Sequence, residues 1–130
     1  MNNITPDNLK YSAAHEWIKI EGDVATIGIT DFAQSSLGDI VYLELPGPSA
    51  PFLKDEPLGV IESIKSVSDI FSPLTGEVLE TNDALIDSPE SCNQGPYESW
   101  LIKLKISNQE EVNNLLSAEE YQKLCNEQEH

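Results

Sequence analysis

One lysine stands apart in this sequence because small, apolar and acidic residues surround it. Lys65 lies within GVIESIKSVSDIFSPLTGEV, residues 59–78, between two strand-like segments. The pattern predicts a hairpin with Lys65 at its tip and with small neighbours, Ser63 and Ser66, that let a modifying enzyme approach. Acylation of the amine would attach a cofactor on a long stem and raise its effective concentration to roughly millimolar. An ordinary surface lysine in a turn fits the same spacing.

The rest of the chain offers few residues for catalysis. Its histidines, His15 and His130, and its cysteines, Cys92 and Cys125, show no metal-ligand spacing and no CxxC pair. No GxSxG, P-loop or GxGxxG motif is present. We therefore expect no catalytic residue, no metal site and no enzymatic activity of its own. We expect both thiols to be reduced, with a disulfide between them as the alternative.

The charge of the chain argues against several classes of partner. Its 130 residues carry a formal net charge of −16, with no arginine and seven scattered lysines. Nucleic acids and anionic membrane surfaces select basic patches, so we expect neither as a partner. No apolar run reaches the roughly 18 residues that a membrane span needs. The amino terminus, MNNITPDNLK, lacks the basic and apolar regions of a signal peptide, so we expect the protein in the cytoplasm. We also expect it to be a monomer.

The spacing of apolar residues predicts a mainly β domain. Alternating or β-branched segments predict strands at 15–20, 24–29, 39–45, 58–64, 70–72, 76–80 and 100–106. In the third segment, Ile40 and Tyr42 are predicted on one face and Val41 and Leu43 on the other. A short helix is predicted to begin at a cap near Thr30 and to end at Gly38. Residues 46–51 are predicted to be a loop, and residues 83–99 are turn-rich without an assignment.

The carboxyl end changes to a helical pattern. Ser107 with Glu110, and Ser117 with Glu120, have the spacing of capping boxes. Apolar residues recur at helical spacing between them and beyond, which predicts helices over about 108–127 that pack one side on the sheet. We expect one domain over 1–130, a small sandwich or barrel.

Four sequence blocks together resemble the H proteins of the glycine cleavage system. They are YSAAHEW, GDVATIGITDFAQSSLGDIVYLELP, GVIESIKSVSDIFSPLTGEV and PYESWLIKLK, and with the terminal helix they cover nearly the whole chain in order. The resemblance implies a barrel-sandwich hybrid of the lipoyl/biotinyl type, with a short internal helix and C-terminal helices. It also implies lipoate covalently attached to Lys65. Ile64-Lys65-Ser66 matches neither the Asp-Lys-Ala tip of dehydrogenase lipoyl domains nor the Met-Lys-Met tip of biotinyl domains.

A function follows from the resemblance. The chain is expected to be a non-catalytic lipoyl carrier that shuttles the aminomethyl intermediate of glycine on a swinging arm. Its expected partners are glycine decarboxylase (P protein), aminomethyltransferase (T protein) and dihydrolipoyl dehydrogenase (L protein), with a lipoate ligase or a lipoyl/octanoyl transferase for attachment. The alternative is an H-like protein that relays lipoate or binds a partner outside glycine cleavage.

The resemblance also implies roles for acidic residues. Glu16 and Asp69 correspond to acids that help to hold the cationic aminomethyl group, and Glu62 is expected to be read by the lipoylating enzyme. Asp31 is expected to cap the short helix, and His15 is either a packed residue or a member of the pocket. Three aromatic residues are expected in the core: Trp17, Phe32 and Trp100.

Two features depart from the family pattern. The segment 96–100 contains no glycine between Tyr97 and Trp100 and is one residue shorter than usual, so this loop is expected to follow a different path. Ala14 and Ser36 lack polar side chains that some relatives place near the arm. Neither change touches the block around Lys65.

Overall fold

The computed structural model describes residues 4–128, which form two antiparallel sheets. The strands are β1 Lys10–Tyr11, β2 Glu16–Glu21, β3 Val24–Ile29, β4 Ile40–Glu44, β5 Pro51–Phe52, β6 Pro57–Ser63, β7 Val67–Phe71, β8 Gly76–Thr81 and β9 Ile102–Ile106. The larger sheet has the order β1-β2-β3-β9-β8-β5, and the smaller sheet has the order β4-β6-β7. The inner faces of both sheets share one core of aliphatic side chains, so burial of apolar surface holds the two layers together.

The helices are short and lie around the sheets. They are α1 Asp31–Leu37, α2 Asp83–Asp87, α3 Ser91–Gln94, a 3₁₀ helix at Gln109–Asn114 and α4 Ala118–Gln128. The predicted mainly β class, with a short internal helix and helices at the carboxyl end, is therefore confirmed. Within residues 4–128, no helix is long and apolar enough to cross a membrane.

A second, smaller core lies beneath α4. It is built from Leu9, Tyr11, Trp17, Tyr121 and Cys125. The rings of Tyr11 and Tyr121 stack with centroids 4.7 Å apart. This contact fixes α4 against β1, so the end of the chain is held close to its beginning. Trp17 is buried, as predicted.

The predicted faces of β4 are wrong. Ile40 and Leu43 are both buried, with 2% and 1% of their surface exposed, whereas Val41 and Tyr42 are exposed. The pairing of β4 with β6 shifts register between Ile40 and Tyr42, so one residue is added on the β4 side. A bulge of this kind breaks the period-two alternation that the prediction assumed.

Several helix ends also differ from the predictions. Asn108, not Ser107, caps the 3₁₀ helix and accepts a hydrogen bond from the Glu110 amide at 3.1 Å. Thr30, not Asp31, caps α1: its hydroxyl accepts from the Ala33 amide at 3.2 Å. The second predicted capping box is confirmed by reciprocal hydrogen bonds, from the Ser117 amide to the Glu120 carboxylate at 2.9 Å and from the Glu120 amide to the Ser117 hydroxyl at 3.2 Å.

Three segments contain elements that the sequence did not indicate, and the first of them is β1 at Lys10–Tyr11. The predicted loop at 46–51 ends in β5, which pairs with β8. The unassigned segment 83–99 forms α2 and α3. These elements are two to five residues long, which is too short for a periodic pattern.

Candidate functional site

Lys65 lies in the short connection between β6 and β7. These strands pair antiparallel, with Glu62 opposite Val67, and residues 64–66 join them. The Lys65 side chain is exposed, as are the large apolar side chains of Ile64 and Val67 beside it. The amine is therefore reachable by another protein.

Hydrogen bonds hold the backbone of this turn. The buried hydroxyl of Ser63 accepts from the amides of Lys65 at 3.2 Å and Ser66 at 3.1 Å. The Ser63 amide donates to the Ser66 carbonyl at 2.8 Å, and the Ile64 amide donates to the Asp39 carbonyl at 3.0 Å. The turn is thus tied both to itself and to the segment that follows α1, so the lysine projects from a fixed base.

Gly38 lies directly under the Lys65 side chain. A Cβ at Gly38 would be 3.1 Å from the lysine Cε, and the backbone there has a φ of +84°. Asn93 fixes the same segment: its amide donates to the Gly38 carbonyl at 2.8 Å, and its oxygen accepts from the Ile40 amide at 2.9 Å. Gly38 therefore ends α1 and also leaves room for the lysine stem.

We expect Gly38→Ala to lower the free energy of unfolding by about 1–2 kcal/mol, because alanine is strained at positive φ. It should also slow acylation of Lys65, because the new methyl group displaces the stem. Rates of modification by an amine-reactive acyl donor, followed by peptide mass spectrometry, measure this second effect. Gly22→Ala is the matched control, since Gly22 has a φ of +64° but an added Cβ there contacts nothing within 4 Å. Equal rates of Lys65 acylation in both variants would show that glycine is needed at position 38 only for its backbone conformation.

A groove of about 380 Å³ opens beside this turn. One wall is the face of α1 that carries Phe32 and Leu37, and the opposite wall is the Ser68–Ile70 part of β7. Residues 14–16 at the start of β2, Ile29 of β3, Ile61 of β6 and Gln128 of α4 complete the lining. Leu37, the last residue of α1, lines the groove, and the next residue is Gly38, over which the lysine stem lies.

Glu16 is a buried carboxyl group in the wall of this groove. Only 3% of its surface is exposed. It accepts hydrogen bonds from the Ser12 hydroxyl at 2.6 Å and the Phe71 amide at 3.4 Å, and neither partner carries a charge. Burial raises the pKa of Glu16 to about 7; the two hydrogen bonds oppose this rise and the charge of Asp55 adds to it. The groove thus contains a carboxyl group that a positively charged ligand would ionise.

The other two acids predicted for the site lie in different places. Asp69 is exposed at the edge of the groove that Glu16 also lines; alternation along the edge strand β7 puts its side chain on the same sheet face as Glu62. Glu62 does not line the groove. It follows the buried Ile61 in β6 and so points to the opposite, outer face of the three-stranded sheet.

Two aromatic residues of the groove carried no clear signal in the sequence. The ring of His15 stacks on Phe32 with centroids 4.8 Å apart, and both line the groove. Phe32 was predicted to be a core residue and is only half-buried. The HEW block placed His15 near the site, but the sequence did not distinguish packing from a pocket role. Within the described residues, no cluster of three or more side chains could hold a metal ion.

Comparisons with known proteins agree with this geometry. The model of the Glycine cleavage H-protein family matches residues 9–128. A glycine cleavage system H protein of Carboxydothermus hydrogenoformans is 49% identical over 127 residues, which cover 97% of this chain and 98% of that protein. Another, of Halothermothrix orenii, is 50% identical over 123 residues, or 94% and 96% of the two chains.

A solved structure confirms the predicted lipoyl/biotinyl-like barrel-sandwich fold. The crystal structure of a glycine cleavage system H protein from Mycobacterium marinum matches with a TM-score of 0.80 and 35% identity. The match covers 89% of this chain and 94% of that chain. From the order of its sequence blocks, its fold and these relatives, the chain belongs to the glycine cleavage H-protein family.

Proposed function

We propose that this protein carries lipoate in amide linkage on Lys65. As a member of its family, the protein is a carrier in glycine cleavage. The observation that supports the attachment site is the exposed Lys65 amine on a braced turn, with its stem over Gly38, the residue that follows Leu37 of the groove wall. Lys65 therefore combines access for an attaching enzyme with a resting place for a long side chain.

The residues present fit such a group. Gly38 leaves space that a Cβ would fill, and the small Ser63 and Ser66 flank the lysine. The groove offers apolar contact from Phe32 and Leu37 on α1. When attached, lipoate would supply the disulfide that takes up the aminomethyl unit and that is left as a dithiol once the unit is released.

The protein's own residues provide binding and shelter. Glu16 and Asp69 offer carboxylates to a positively charged amine in the groove, and charged hydrogen bonds of this kind are the stronger ones. Phe32 and Leu37 exclude water from the same space. The protein thus holds the load, and its partner enzymes and the cofactor perform the bond chemistry.

The partners follow from this role. We propose that glycine decarboxylase, aminomethyltransferase and dihydrolipoyl dehydrogenase act in turn on the arm, and that a lipoate ligase or a lipoyl/octanoyl transferase attaches it. Glu62 lies on the outer face of the sheet, two residues before the turn at 64–66, where an attaching enzyme would contact it. We further propose that the protein works as a monomer in the cytoplasm and has no catalytic activity of its own.

Intact-mass measurement after coexpression with a lipoate ligase tests the proposal. We expect the mass of one lipoyl group to be added and peptide mapping to place it on Lys65. The lipoylated protein should then support decarboxylation of glycine by its partner enzymes. An unmodified protein would support a partner-binding module, and a lipoylated protein inactive in glycine decarboxylation would support a lipoate relay.

A further inference from the structure

A chain of hydrogen bonds links the end of α4 to the groove. The two ring nitrogens of His15 contact two residues of α4: Nδ1 lies 2.8 Å from the Tyr121 hydroxyl, and Nε2 lies 2.8 Å from Oε1 of Gln128. The Tyr121 hydroxyl lies 2.6 Å from the hydroxyl of Thr30, the residue that caps α1. His15 therefore connects the last turn of α4 with the helix that forms one wall of the groove.

The partners determine which nitrogen of His15 carries the proton. The amide oxygen of Gln128 only accepts, so Nε2–H donates to it. Nδ1 then accepts from the Tyr121 hydroxyl, whose oxygen accepts from the hydroxyl of Thr30. The Thr30 oxygen in turn accepts from the Ala33 amide. With the imidazole neutral, every donor in this chain meets an acceptor.

The backbone at His15 shows that this position is imposed by its surroundings. Its φ is +71°, in the left-handed region that histidine seldom adopts. The His15 amide donates to the Ser12 carbonyl at 3.1 Å, and the His15 carbonyl accepts from the Thr30 amide at 3.1 Å. These bonds offset a strain on the order of 1 kcal/mol or more. The ring is thereby placed between α1 and α4.

We propose that α4 is a positioning element for the loaded arm: Gln128 fixes the orientation and tautomer of the His15 ring, and the Tyr121 hydroxyl favours its uncharged form, so that a cationic load meets carboxylates without a competing cation. The inference rests on the proposed function, because it assumes that the load rests in this groove. It adds residues from the far end of the chain to the site.

The charges around the groove explain why a neutral ring matters. The other titratable groups that line it are Glu16 from β2 and Asp69 from β7, whereas α1 contributes only apolar or small side chains to the lining. Burial lowers the pKa of His15; the hydrogen bond to Gln128 opposes this fall, but burial is the larger effect and favours the uncharged ring. An imidazolium would pair with those carboxylates and repel a positive amine.

The first test uses the protein without its cofactor. Nitrogen NMR of the imidazole should show the Nε2–H tautomer of His15 in the unchanged protein. Tyr121→Phe removes the donor to Nδ1, so the pKa of His15 should rise. Gln122→Ala, a matched glutamine change on the same helix whose side chain contacts Thr5, should leave the His15 signals unchanged. A protonated Nδ1 in the neutral ring of the unchanged protein would overturn the proposal.

The second test measures retention of the load. With lipoylated protein loaded from glycine and no aminomethyltransferase present, Gln128→Ala and Tyr121→Phe should release the one-carbon unit up to roughly tenfold faster, as expected for one lost hydrogen bond. Gln122→Ala should release it at the unchanged rate. Lipoylation rates should be equal in all three variants, since the hydrogen bonds described for the changed side chains reach His15, Thr30, Thr5 and Asn126 rather than the Lys65 turn.

The outcomes separate this inference from the proposed function. Unchanged release in Gln128→Ala and Tyr121→Phe, with normal lipoylation, overturns the role of α4 and leaves the carrier role intact. Equal acceleration in Gln122→Ala also overturns it, because general loosening of the helix would then explain the result. Failure to attach lipoate at all contradicts the proposed function, while the tautomer experiment still tests the hydrogen-bond chain.

Discussion

Lys65→Arg should abolish lipoylation and leave the fold unchanged. Arginine keeps the positive charge and much of the bulk, but its guanidinium group stays protonated and offers no primary amine to an acyl donor. The side chain is exposed, so the free energy of unfolding should change by no more than about 0.5 kcal/mol. After coexpression with a lipoate ligase, intact mass should show no added lipoyl group, and decarboxylation of glycine by the partner enzymes should fall to background.

A second lysine provides the control for this experiment. Lys19→Arg changes another exposed lysine, on β2 and remote from the turn, and should be lipoylated as fully as the unchanged protein. Lipoyl mass that persists in Lys65→Arg would place the attachment on a different lysine and would remove the basis of the groove argument. Loss of lipoylation in both variants would point to a general effect of arginine on the attaching enzyme.

The local pattern of the sequence was sufficient for most strands. β3 and β9 are rich in β-branched or alternating apolar residues and were predicted within about two residues of their ends. Gly38 correctly marked the end of α1, because positive φ at a helix end selects glycine. These features are determined by residues close in the chain, so they can be predicted from the sequence.

Features that depend on contacts between residues far apart in the sequence could not be predicted from it. The bulge in β4 arises from its register against β6, about twenty residues later, so the alternation in IVYLE gave the wrong faces. Asn108 rather than Ser107 caps the 3₁₀ helix, and the choice between two adjacent capping residues depends on how the chain leaves β9. Sequence spacing alone carries no information on either point.

The residues of the site also fall into two groups, those that the sequence indicated and those that it did not. Lys65 was singled out by its surroundings, and Glu16 and Asp69 were named only through the resemblance to H proteins; the structure brings both acids to one groove. Glu62 was named with them and does not line the groove, because it lies on the outer face of the central strand β6, whereas Asp69 lies on the edge strand β7. Gln128 reaches the groove from the opposite end of the chain, so no local signal marks it.

Glu16→Gln should weaken retention of the load and change how stability depends on pH. In the folded protein, burial raises the pKa of Glu16 from 4.5 to about 7. A raised pKa means that the folded state favours the neutral acid, so its contribution to stability is complete below pH 4.5 and is lost as pH rises through 7. The loss amounts to about 3 kcal/mol, at 1.36 kcal/mol per pKa unit.

The variant removes this titration. A glutamine can keep both contacts, because its oxygen can accept from the Phe71 amide while its amide donates to the Ser12 hydroxyl. The difference in unfolding free energy between Glu16→Gln and the unchanged protein should therefore move in favour of the variant between pH 5 and pH 8. Denaturant titrations at the two pH values measure it, and other groups cancel in the difference. A difference that stays constant with pH would show that Glu16 titrates normally.

The same change should also show how much the buried carboxyl group contributes to retention of the aminomethyl unit. A cationic load binds the carboxylate form of Glu16. Retention by the unchanged protein should therefore strengthen from pH 6 to pH 8, because Glu16 is mostly protonated at pH 6 and mostly ionised at pH 8 before the load binds. Glu16→Gln should release the aminomethyl unit roughly tenfold faster at pH 8, as expected for one charged hydrogen bond, with no such pH dependence. Asp69→Asn should have a smaller effect because Asp69 is exposed, and Glu62→Gln, off the groove, should have none. Equal release from all three variants would mean that the load is held by the apolar wall alone and that the raised pKa of Glu16 is only a cost to stability.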